Sequence, residues 1–240
     1  MNTIKFDKKN VKTIAHRGLS GIETENTVAA FVAAANRSYY GIETDVHKTL
    51  DGHFVLIHDN STNRVSKKNK KVKRSILLTL KKIVLKDFYS KEAPREDLRI
   101  PTLADYISIC KKYEKVCILE IKNHFSYDDI KKLVKEIEKL NYIEHTVFIS
   151  FDFDNLKNIK SILPNQKVQF LTDKCTDELI GKLKNYKMDI DIQYRALNEE
   201  LVNKLHNNGI EINTYTVDNL ETANKFANLN IDYLTTNILE

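Results

Sequence analysis

Acidic and basic side chains gather where three short apolar segments of the chain end. They are His16 and Arg17, then Glu43 and Asp45, and later Glu120 and Lys122. Three carboxylates directed at one point repel each other unless a cation lies among them, and such hard oxygen ligands suit Mg²⁺ or Ca²⁺. A guanidinium fork and an ammonium group beside them suit a phosphate. If the fold brings these segment ends together, the pattern predicts a divalent-cation site that binds a phosphate.

A second histidine joins this group through a predicted hairpin. Residues 47–59 read HKTLDGHFVLIHD, and the Asp51-Gly52 pair is a strong signal for a two-residue turn. With that turn, the returning strand places His58 directly opposite Asp45. We therefore predict that His16 and His58 lie on opposite sides of the site, where two histidines suit acid–base work near neutral pH.

The elements that would position these side chains alternate along the chain. Apolar segments typical of strands centre near residues 13, 43, 118, 148, 170, 190, 213 and 233, with helical spacing between them. Eight such units predict a parallel (β/α)₈ barrel, the TIM barrel, in which chemistry lies at the C-terminal strand ends. The alternative is an open doubly wound sheet, but its glycine-rich dinucleotide motif and the P-loop are both absent.

Helix starts in the C-terminal half are marked by capping residues. Ser126, Thr176 and Asn198 each precede an apolar pattern with helical spacing. Asp218 with Glu221 resembles a capping pair ahead of the last helix.

One segment interrupts the alternation. Residues 60–100 hold 13 Lys or Arg against 4 Asp or Glu, and six cations fall within residues 67–74. We predict an inserted subdomain, with the barrel resuming at Ile100-Pro101-Thr102. The basic run is typical of a solvated loop. The alternative is a patch that attracts anionic substrates or makes a weak contact with an anionic membrane surface. Nucleic acid is disfavoured because no aromatic residues are interleaved for base stacking.

Composition limits the class of protein. The 240 residues carry a net charge of +5, are 42% hydrophobic and include 6 Gly and 3 Pro, which excludes collagen-like and disordered chains. No apolar run reaches the roughly 18 residues of a membrane span, and no signal peptide is evident. Three scattered cysteines are too few for a disulfide framework or a zinc cluster. We expect one cytoplasmic domain over residues 1–240.

The motifs resemble those of the glycerophosphodiester phosphodiesterase family. The runs that carry the resemblance are IAHRGLSGIETENTVAAF, GIETDVHKTLDGHFVLIHD, IPTLADYI and ILEIK, followed by Ser150-Phe151, INTYTVDN and DYLTT. The resemblance covers almost the whole predicted barrel in the right order.

The resemblance implies a divalent-metal phosphodiesterase that yields glycerol 3-phosphate and an alcohol. It assigns the metal to Glu43, Asp45 and Glu120, the general acid and base to His16 and His58, and the phosphate to Arg17 and Lys122. It also assigns segment 60–100 to a cap over the mouth of the site. These assignments agree with the site predicted from residue types and spacing.

The chain departs from the family pattern at three positions. Thr24 and Asn237 stand where Pro and Asp are usual, and Tyr215 stands where many members have Trp. The ring of Tyr215 could pack against a glycerol moiety or belong to the barrel core, and Phe151 is open to the same two interpretations. A lipid phosphodiesterase resembling lysophospholipase D is the alternative within the class. A non-catalytic phosphodiester-binding scaffold is the alternative outside it.

Overall fold

Eight parallel strands close on themselves into a barrel in the computed structural model, which describes residues 2–90 and 95–240. The strands are β1 (Lys12–Ala15), β2 (Gly41–Lys48), β3 (Phe54–Leu56), β4 (Val116–Ile121), β5 (Thr146–Ser150), β6 (Val168–Thr172), β7 (Asp189–Gln193), β8 (Ile212–Tyr215) and β9 (Tyr233–Thr236). Strand β1 pairs with both β2 and β9, which closes the barrel, while β3 pairs antiparallel with β2 and lies outside it. The predicted TIM barrel with a hairpin extension of its second strand is confirmed.

Helices connect the strands and cover the outside of the barrel. They are α1 (Val28–Ala35), α2 (Leu77–Lys81), α3 (Leu103–Lys112), α4 (Tyr127–Lys139), α5 (Phe153–Ile162), α6 (Asp177–Tyr186), α7 (Glu199–Asn207) and α8 (Leu220–Asn228). Among the residues described, no helix is both long and apolar enough to cross a membrane.

The predicted helix caps are present except at α8. Ser126, Thr176 and Asn198 each accept a hydrogen bond from a backbone N–H in the first turn of the following helix. The cap predicted at Asp218 is wrong, because Asn219 accepts the N–H of Thr222 instead. The carboxylate of Asp218 instead accepts hydrogen bonds from Thr236 and Asn237 at the end of β9.

The inner face of the barrel changes character along its axis. Ile118 and Glu120 lie two apart in β4 and so share a face, and Ile14 and His16 are spaced likewise at the end of β1. Ile14, Ile118, Val147, Ile149, Leu171 and Tyr233 form one buried apolar cluster. Along β1 and β4, this apolar cluster therefore precedes the ionisable residues, which lie at the C-terminal strand ends.

The hairpin after β2 has a different register from the predicted one. Val46 pairs with Leu56 and His47 with Val55, which makes Ile57 the residue opposite Asp45. The Ile57 N–H donates to the Asp45 carbonyl at 3.0 Å. The prediction of His58 there is wrong by one residue because the loop has three residues, Leu50 to Gly52, and Gly52 adopts a φ of +78°.

The basic segment has a small core of its own. Val65, Leu80 and Leu98 are buried in this core. They pack with Val55 of β3 and with Ile57, which follows β3. This cluster is separate from the main core that lies between barrel and helices. The segment is joined to the loop after β1 by Thr24, whose hydroxyl donates to the Lys86 carbonyl at 3.0 Å.

Candidate active site

Three buried carboxylates converge at the C-terminal end of the barrel. Glu43 and Asp45 share the inner face of β2, and Asp45 is level with Glu120 on the neighbouring strand β4. One oxygen from each carboxylate lies within 4.8 Å of the others, and the three residues are 3%, 1% and 8% exposed. The structure therefore brings together the three oxygen donors that the spacing predicts.

The pKa values of these three carboxyl groups are strongly shifted. Burial, and then the charges of Asp45 and Glu120, raise the pKa of Glu43 well above its usual range. Burial and the Asp45 charge raise the pKa of Glu120 to about 7, against the opposing effect of Lys122. Burial also acts on Asp45, but Arg17 and Lys122 outweigh it and hold the pKa of that carboxyl below its usual value.

These observations fit a site for a hard divalent cation. The donor set consists only of carboxylate oxygens, which Mg²⁺ and Ca²⁺ prefer. The Oδ1 atom of Asp45 is buried and has no hydrogen-bond partner within residues 2–90 and 95–240. Buried polar atoms rarely lack a hydrogen bond, so this oxygen beside two other carboxylates fits the role of a cation ligand.

The second oxygen of Asp45 is held by a residue that the sequence analysis did not single out. The Asn26 side-chain amide donates to Asp45 Oδ2 at 2.8 Å, and the Thr44 hydroxyl donates to Asn26 Oδ1 at 2.6 Å. Asn26 adopts a φ of +53°, a conformation that asparagine tolerates better than most residues. The signal was available, because Asn26 lies in the E-N-T run that carries the family resemblance.

Two cations flank the carboxylates. Lys122 Nζ lies 2.7 Å from Glu120 Oε1 and 3.4 Å from Asp45 Oδ1. Arg17 donates its backbone N–H to Glu43 Oε2 at 2.8 Å, and its Nε lies 3.6 Å from Asp45 Oδ2. Both side chains are largely buried at the rim, where they can meet the oxygens of a bound phosphate.

A tight turn places Arg17 against the barrel. Gly18 has a φ of +75°, and its N–H donates to the Glu43 carbonyl at 3.1 Å. A β-carbon at this position would lie 2.7 Å from backbone and side-chain atoms of Ala30. Only glycine fits this position, which explains why a glycine follows His16 and Arg17.

Each of the two histidines interacts with a member of the carboxylate cluster. His16 Nδ1 is 2.8 Å from Asn237 Oδ1, and His16 Nε2 is 4.0 Å from Glu43 Oε2. Burial lowers the pKa of His16 to about 4, which leaves its ring neutral at neutral pH. His58 Nδ1 is 2.7 Å from Asp59 Oδ1, and burial lowers the pKa of His58 while the nearby Asp45 charge opposes that shift. The corrected hairpin register therefore still leaves His58 close enough to interact with Asp45.

A bridge from the basic segment ties the two sides of the site together. Arg64 makes two 2.7 Å hydrogen bonds to Glu25 and one of 2.8 Å to Asp59. Glu25 also accepts from Arg17 at 3.1 Å, and Asp59 contacts His58. The chain Arg17–Glu25–Arg64–Asp59–His58 was not predicted, because nothing in the local pattern separates Arg64 from the surrounding cations.

Arg64→Ala is expected to lower kcat on the order of 10-fold, because His58 and Arg17 would both lose an orienting contact. The free energy of unfolding should change by less than about 1 kcal/mol, since the Arg64 side chain is 42% exposed. Steady-state kinetics and urea unfolding measure the two effects. Arg99→Ala is the matched control, because Arg99 bonds only within the segment, to Glu96 and the Lys82 carbonyl, among its described contacts. Equal kcat values for both variants would contradict a role for the bridge.

Two cavities lie beside the carboxylate cluster. One of about 470 Å³ is bordered by His16, Arg17, Glu25 and Tyr89, and the hydroxyl of Tyr89, from the basic segment, bonds the Ser20 carbonyl. The other, of about 500 Å³, is bordered by Glu120, Lys122, Phe151 and neighbours in the loops after β4 and β5. Space on two sides suits a phosphodiester, which carries one substituent on each side of phosphorus.

Of the two predicted aromatic residues, Phe151 borders this second cavity and Tyr215 lies against Phe151. Phe151 is 51% exposed, and its ring packs edge-on against Tyr215 at 6.3 Å between centroids. The Tyr215 hydroxyl donates to Asp173 Oδ1 at 3.1 Å, and Tyr215 also packs against the apolar cluster of the lumen. The two rings form a small apolar surface at the rim rather than part of the carboxylate cluster.

Comparison with known proteins agrees with this geometry. The model of the glycerophosphoryl diester phosphodiesterase family matches residues 16–240. A glycerophosphodiester phosphodiesterase of Caldanaerobacter subterraneus subsp. tengcongensis is 31% identical over 232 residues, covering 93% of this chain and 92% of the relative.

Solved structures show the same barrel. A glycerophosphodiester phosphodiesterase from Thermotoga maritima superimposes with a TM-score of 0.78 at 25% identity, covering 95% of this chain and 94% of the other. A phosphodiesterase from Oleispira antarctica, solved with sn-glycerol-3-phosphate, gives a TM-score of 0.85 at 22% identity, covering 94% and 92%. At 22% identity, the likeness to the Oleispira antarctica structure shows the fold alone.

Proposed function

The chain belongs to the glycerophosphoryl diester phosphodiesterase family and is therefore a phosphoric diester hydrolase, and we propose that it cleaves glycerophosphodiesters with the help of a divalent cation. Glu43, Asp45 and Glu120 would hold Mg²⁺ or Ca²⁺. The single observation that carries the proposal is the convergence of these three buried carboxylates, with Asp45 Oδ1 making no hydrogen bond among the described residues. A bound cation would supply Lewis-acid stabilisation of the charge that develops on the phosphate.

The chain's own cations would orient the phosphodiester. The Arg17 guanidinium presents a planar fork to two phosphate oxygens, and Lys122 adds a point charge from the other side. Their present partners are carboxylates of the site, so both side chains are held at the rim before substrate arrives. The aromatic surface of Phe151 and Tyr215 would pack against a substituent of the phosphate in the adjacent cavity.

Proton transfer would fall to the two histidines. One would take the proton of the nucleophile, either water or the neighbouring glycerol hydroxyl, and the other would protonate the leaving alcohol. Each ring has its Nδ1 held by an oxygen of a neighbouring side chain, which leaves Nε2 for the reaction. The products would be glycerol 3-phosphate and an alcohol such as choline or ethanolamine.

A substrate panel tests this proposal. Glycerophosphocholine, glycerophosphoethanolamine and a lysophospholipid are incubated with purified protein and Mg²⁺, and both products of each are identified. Release of glycerol 3-phosphate from the first two supports the proposal. Turnover of the lysophospholipid alone would support the lipid phosphodiesterase alternative, and hydrolysis of none of the three would contradict both. Membership of a hydrolase family favours both enzyme activities over a non-catalytic scaffold.

The lipid alternative draws on the surface of the basic segment. Ile76 and Leu78, both exposed, lie two and four residues after the end of the basic run of residues 67–74. Apolar side chains beside cations suit the interface of an anionic membrane, so we keep a weak membrane contact as part of the proposal. No observation favours nucleic acid as a partner. Three free cysteines support the proposed cytoplasmic location, a reducing compartment.

Replacing Lys67, Lys68, Lys70 and Lys71 by Gln is expected to leave kcat nearly unchanged, because these exposed charges act through a field that decays over about 8 Å at 0.15 M salt. Binding to vesicles of anionic lipid should weaken several-fold at low salt, with the difference shrinking as salt rises. Vesicle co-sedimentation over a salt series measures the effect.

The control for this experiment removes the same charge elsewhere. Gln is placed at four exposed lysines of helices α4 and α6, namely Lys131, Lys135, Lys139 and Lys184. If both quadruple variants bind vesicles equally, the basic run is only a solvated loop.

A further inference from the structure

The side chain of Asn237 lies between His16 and the carboxylate of Asp218. Its Oδ1 is 2.8 Å from His16 Nδ1, and its Nδ2 donates to Asp218 Oδ2 at 2.6 Å. The other oxygen of Asp218 accepts the backbone N–H of Asn237 at 2.7 Å and the Thr236 hydroxyl at 3.0 Å. The three side chains thus form a continuous chain from the loop after β8, across the end of β9, to the end of β1.

This chain permits only one arrangement of hydrogens. A carboxylate accepts hydrogen bonds and cannot donate them, so the NH₂ group of Asn237 must face Asp218. Its Oδ1 must then face His16, and an oxygen acceptor requires a proton on Nδ1 of that ring. The Ser20 hydroxyl, 2.6 Å from the same Oδ1, can donate to it as well. A neutral imidazole carries one N–H, so His16 Nε2, which faces Glu43 Oε2 at 4.0 Å, is left bare.

We propose that Asn237 and Asp218 are positioning residues that hold His16 in the Nδ1–H tautomer and thereby make it the general base of the site. The role of His16 as general base rests on the proposed function, whereas its tautomer does not. A bare Nε2 directed towards the carboxylate cluster can accept the proton of the nucleophile, whose oxygen forms the new bond to phosphorus while the bond to the leaving alcohol breaks and His58 protonates that alcohol. The same ring with its proton on Nε2 could not accept one there.

The substitution Asp218→Asn tests the proposal by changing one atom. The backbone N–H of Asn237 needs an acceptor, so the oxygen of the new amide stays on that side and its NH₂ replaces Oδ2. Two NH₂ groups would then face each other, and Asn237 must rotate to present Oδ1 to Asn at 218. Its own NH₂ would turn towards His16 Nδ1, which inverts the tautomer to Nε2–H.

The tautomer is read directly, without substrate, from the ring ¹⁵N shifts of His16 in protein labelled with ¹⁵N-histidine. We expect Nδ1–H in the unaltered protein and Nε2–H in Asp218→Asn, with a fall in kcat on the order of 10²–10⁴, as for other imidazoles forced into the wrong tautomer. The double variant Asp218→Asn/Asn237→Asp should restore both, because a carboxylate at 237 again accepts from Nδ1–H and from the amide at 218.

Asp232→Asn is the matched control. Asp232 also accepts a backbone N–H, that of Ile212 at 2.8 Å, and contacts a histidine, His206 at 3.0 Å, but it precedes β9 at the opposite end of the strand from Asn237. It should leave the tautomer of His16 and kcat unchanged.

The proposal is overturned if His16 carries its proton on Nε2 in the unaltered protein, or if Asp218→Asn leaves the tautomer as it was. An inverted tautomer with unchanged kcat would refute the role of His16 as base. Failure of the unaltered protein to hydrolyse any glycerophosphodiester would contradict the proposed function instead, while the ¹⁵N shifts would still decide the positioning claim.

Discussion

Asp45→Asn is expected to abolish measurable hydrolysis at cation concentrations that saturate the unaltered protein. Residues that hydrogen-bond to metal ligands typically contribute about 10–100-fold to metal affinity. Loss of a ligand itself should therefore weaken cation binding by at least about 100-fold. Asp45 is the member of the triad with a buried oxygen, Oδ1, that makes no hydrogen bond in the described structure, and Arg17 and Lys122 hold the pKa of Asp45 below its usual value. Calorimetric titration with Mg²⁺ and Ca²⁺ measures the affinity.

The fold should survive this substitution. Arg17 and Lys122 keep Glu25 and Glu120 as partners, so no buried cation is left unpaired. Asp191→Asn is the control, because Asp191 is also a buried carboxyl on the inner face, on β7, with an Oδ1 that makes no hydrogen bond to the described chain. Burial raises the pKa of Asp191 well above its usual value, so an amide resembles its neutral form. If Asp45→Asn binds cations as tightly as Asp191→Asn, the metal assignment is wrong.

His16→Ala and His58→Ala are each expected to lower kcat by roughly 10²–10⁴ with little change in the free energy of unfolding. Both side chains are at the rim of the barrel, and each has one ring nitrogen left for proton transfer. The losses should not multiply in the double variant, because residues that act on one reaction are not additive. Steady-state kinetics on glycerophosphocholine and urea unfolding give the two quantities.

His124→Ala provides the control for both histidines. His124 borders the same cavity as Glu120 and contacts a carboxylate, Asp152, at 2.8 Å, but its side chain is 64% exposed. It should retain kcat within about 2-fold, since exposed surface contacts contribute little. An unchanged kcat in either His16→Ala or His58→Ala would reassign that residue to structure.

The barrel and the carboxylate triad were predictable because both follow from short-range periodicity. Strand–helix alternation sets the parallel barrel, and residues two apart in a strand share a face, which brings Glu43, Asp45 and Glu120 to one end. The error at the hairpin has a physical cause of the same kind. An Asp-Gly pair signals a tight turn, but it does not tell whether two or three residues form the loop, and one residue changes which side chain faces Asp45.

The supporting contacts were not predictable, since they join residues far apart in sequence. The sequence predicts Asp218 as a helix cap, but its carboxylate accepts a hydrogen bond from the side chain of Asn237. The neighbouring Asn219 caps α8 instead. Arg64 could not be told from other cations of the segment until Glu25 and Asp59 were seen on either side of it. Family resemblance marked Asn237 as a departure but gave no reason for it.

The measurement that tests the account most directly is hydrolysis of glycerophosphocholine by protein stripped of divalent cations. The protein is dialysed against chelator, its metal content is measured, and release of glycerol 3-phosphate is followed before and after addition of Mg²⁺ or Ca²⁺. We predict no turnover in the stripped protein, full recovery at saturating cation, and no recovery in Asp45→Asn. Full turnover by the stripped protein, with no metal detected, would contradict the central claim.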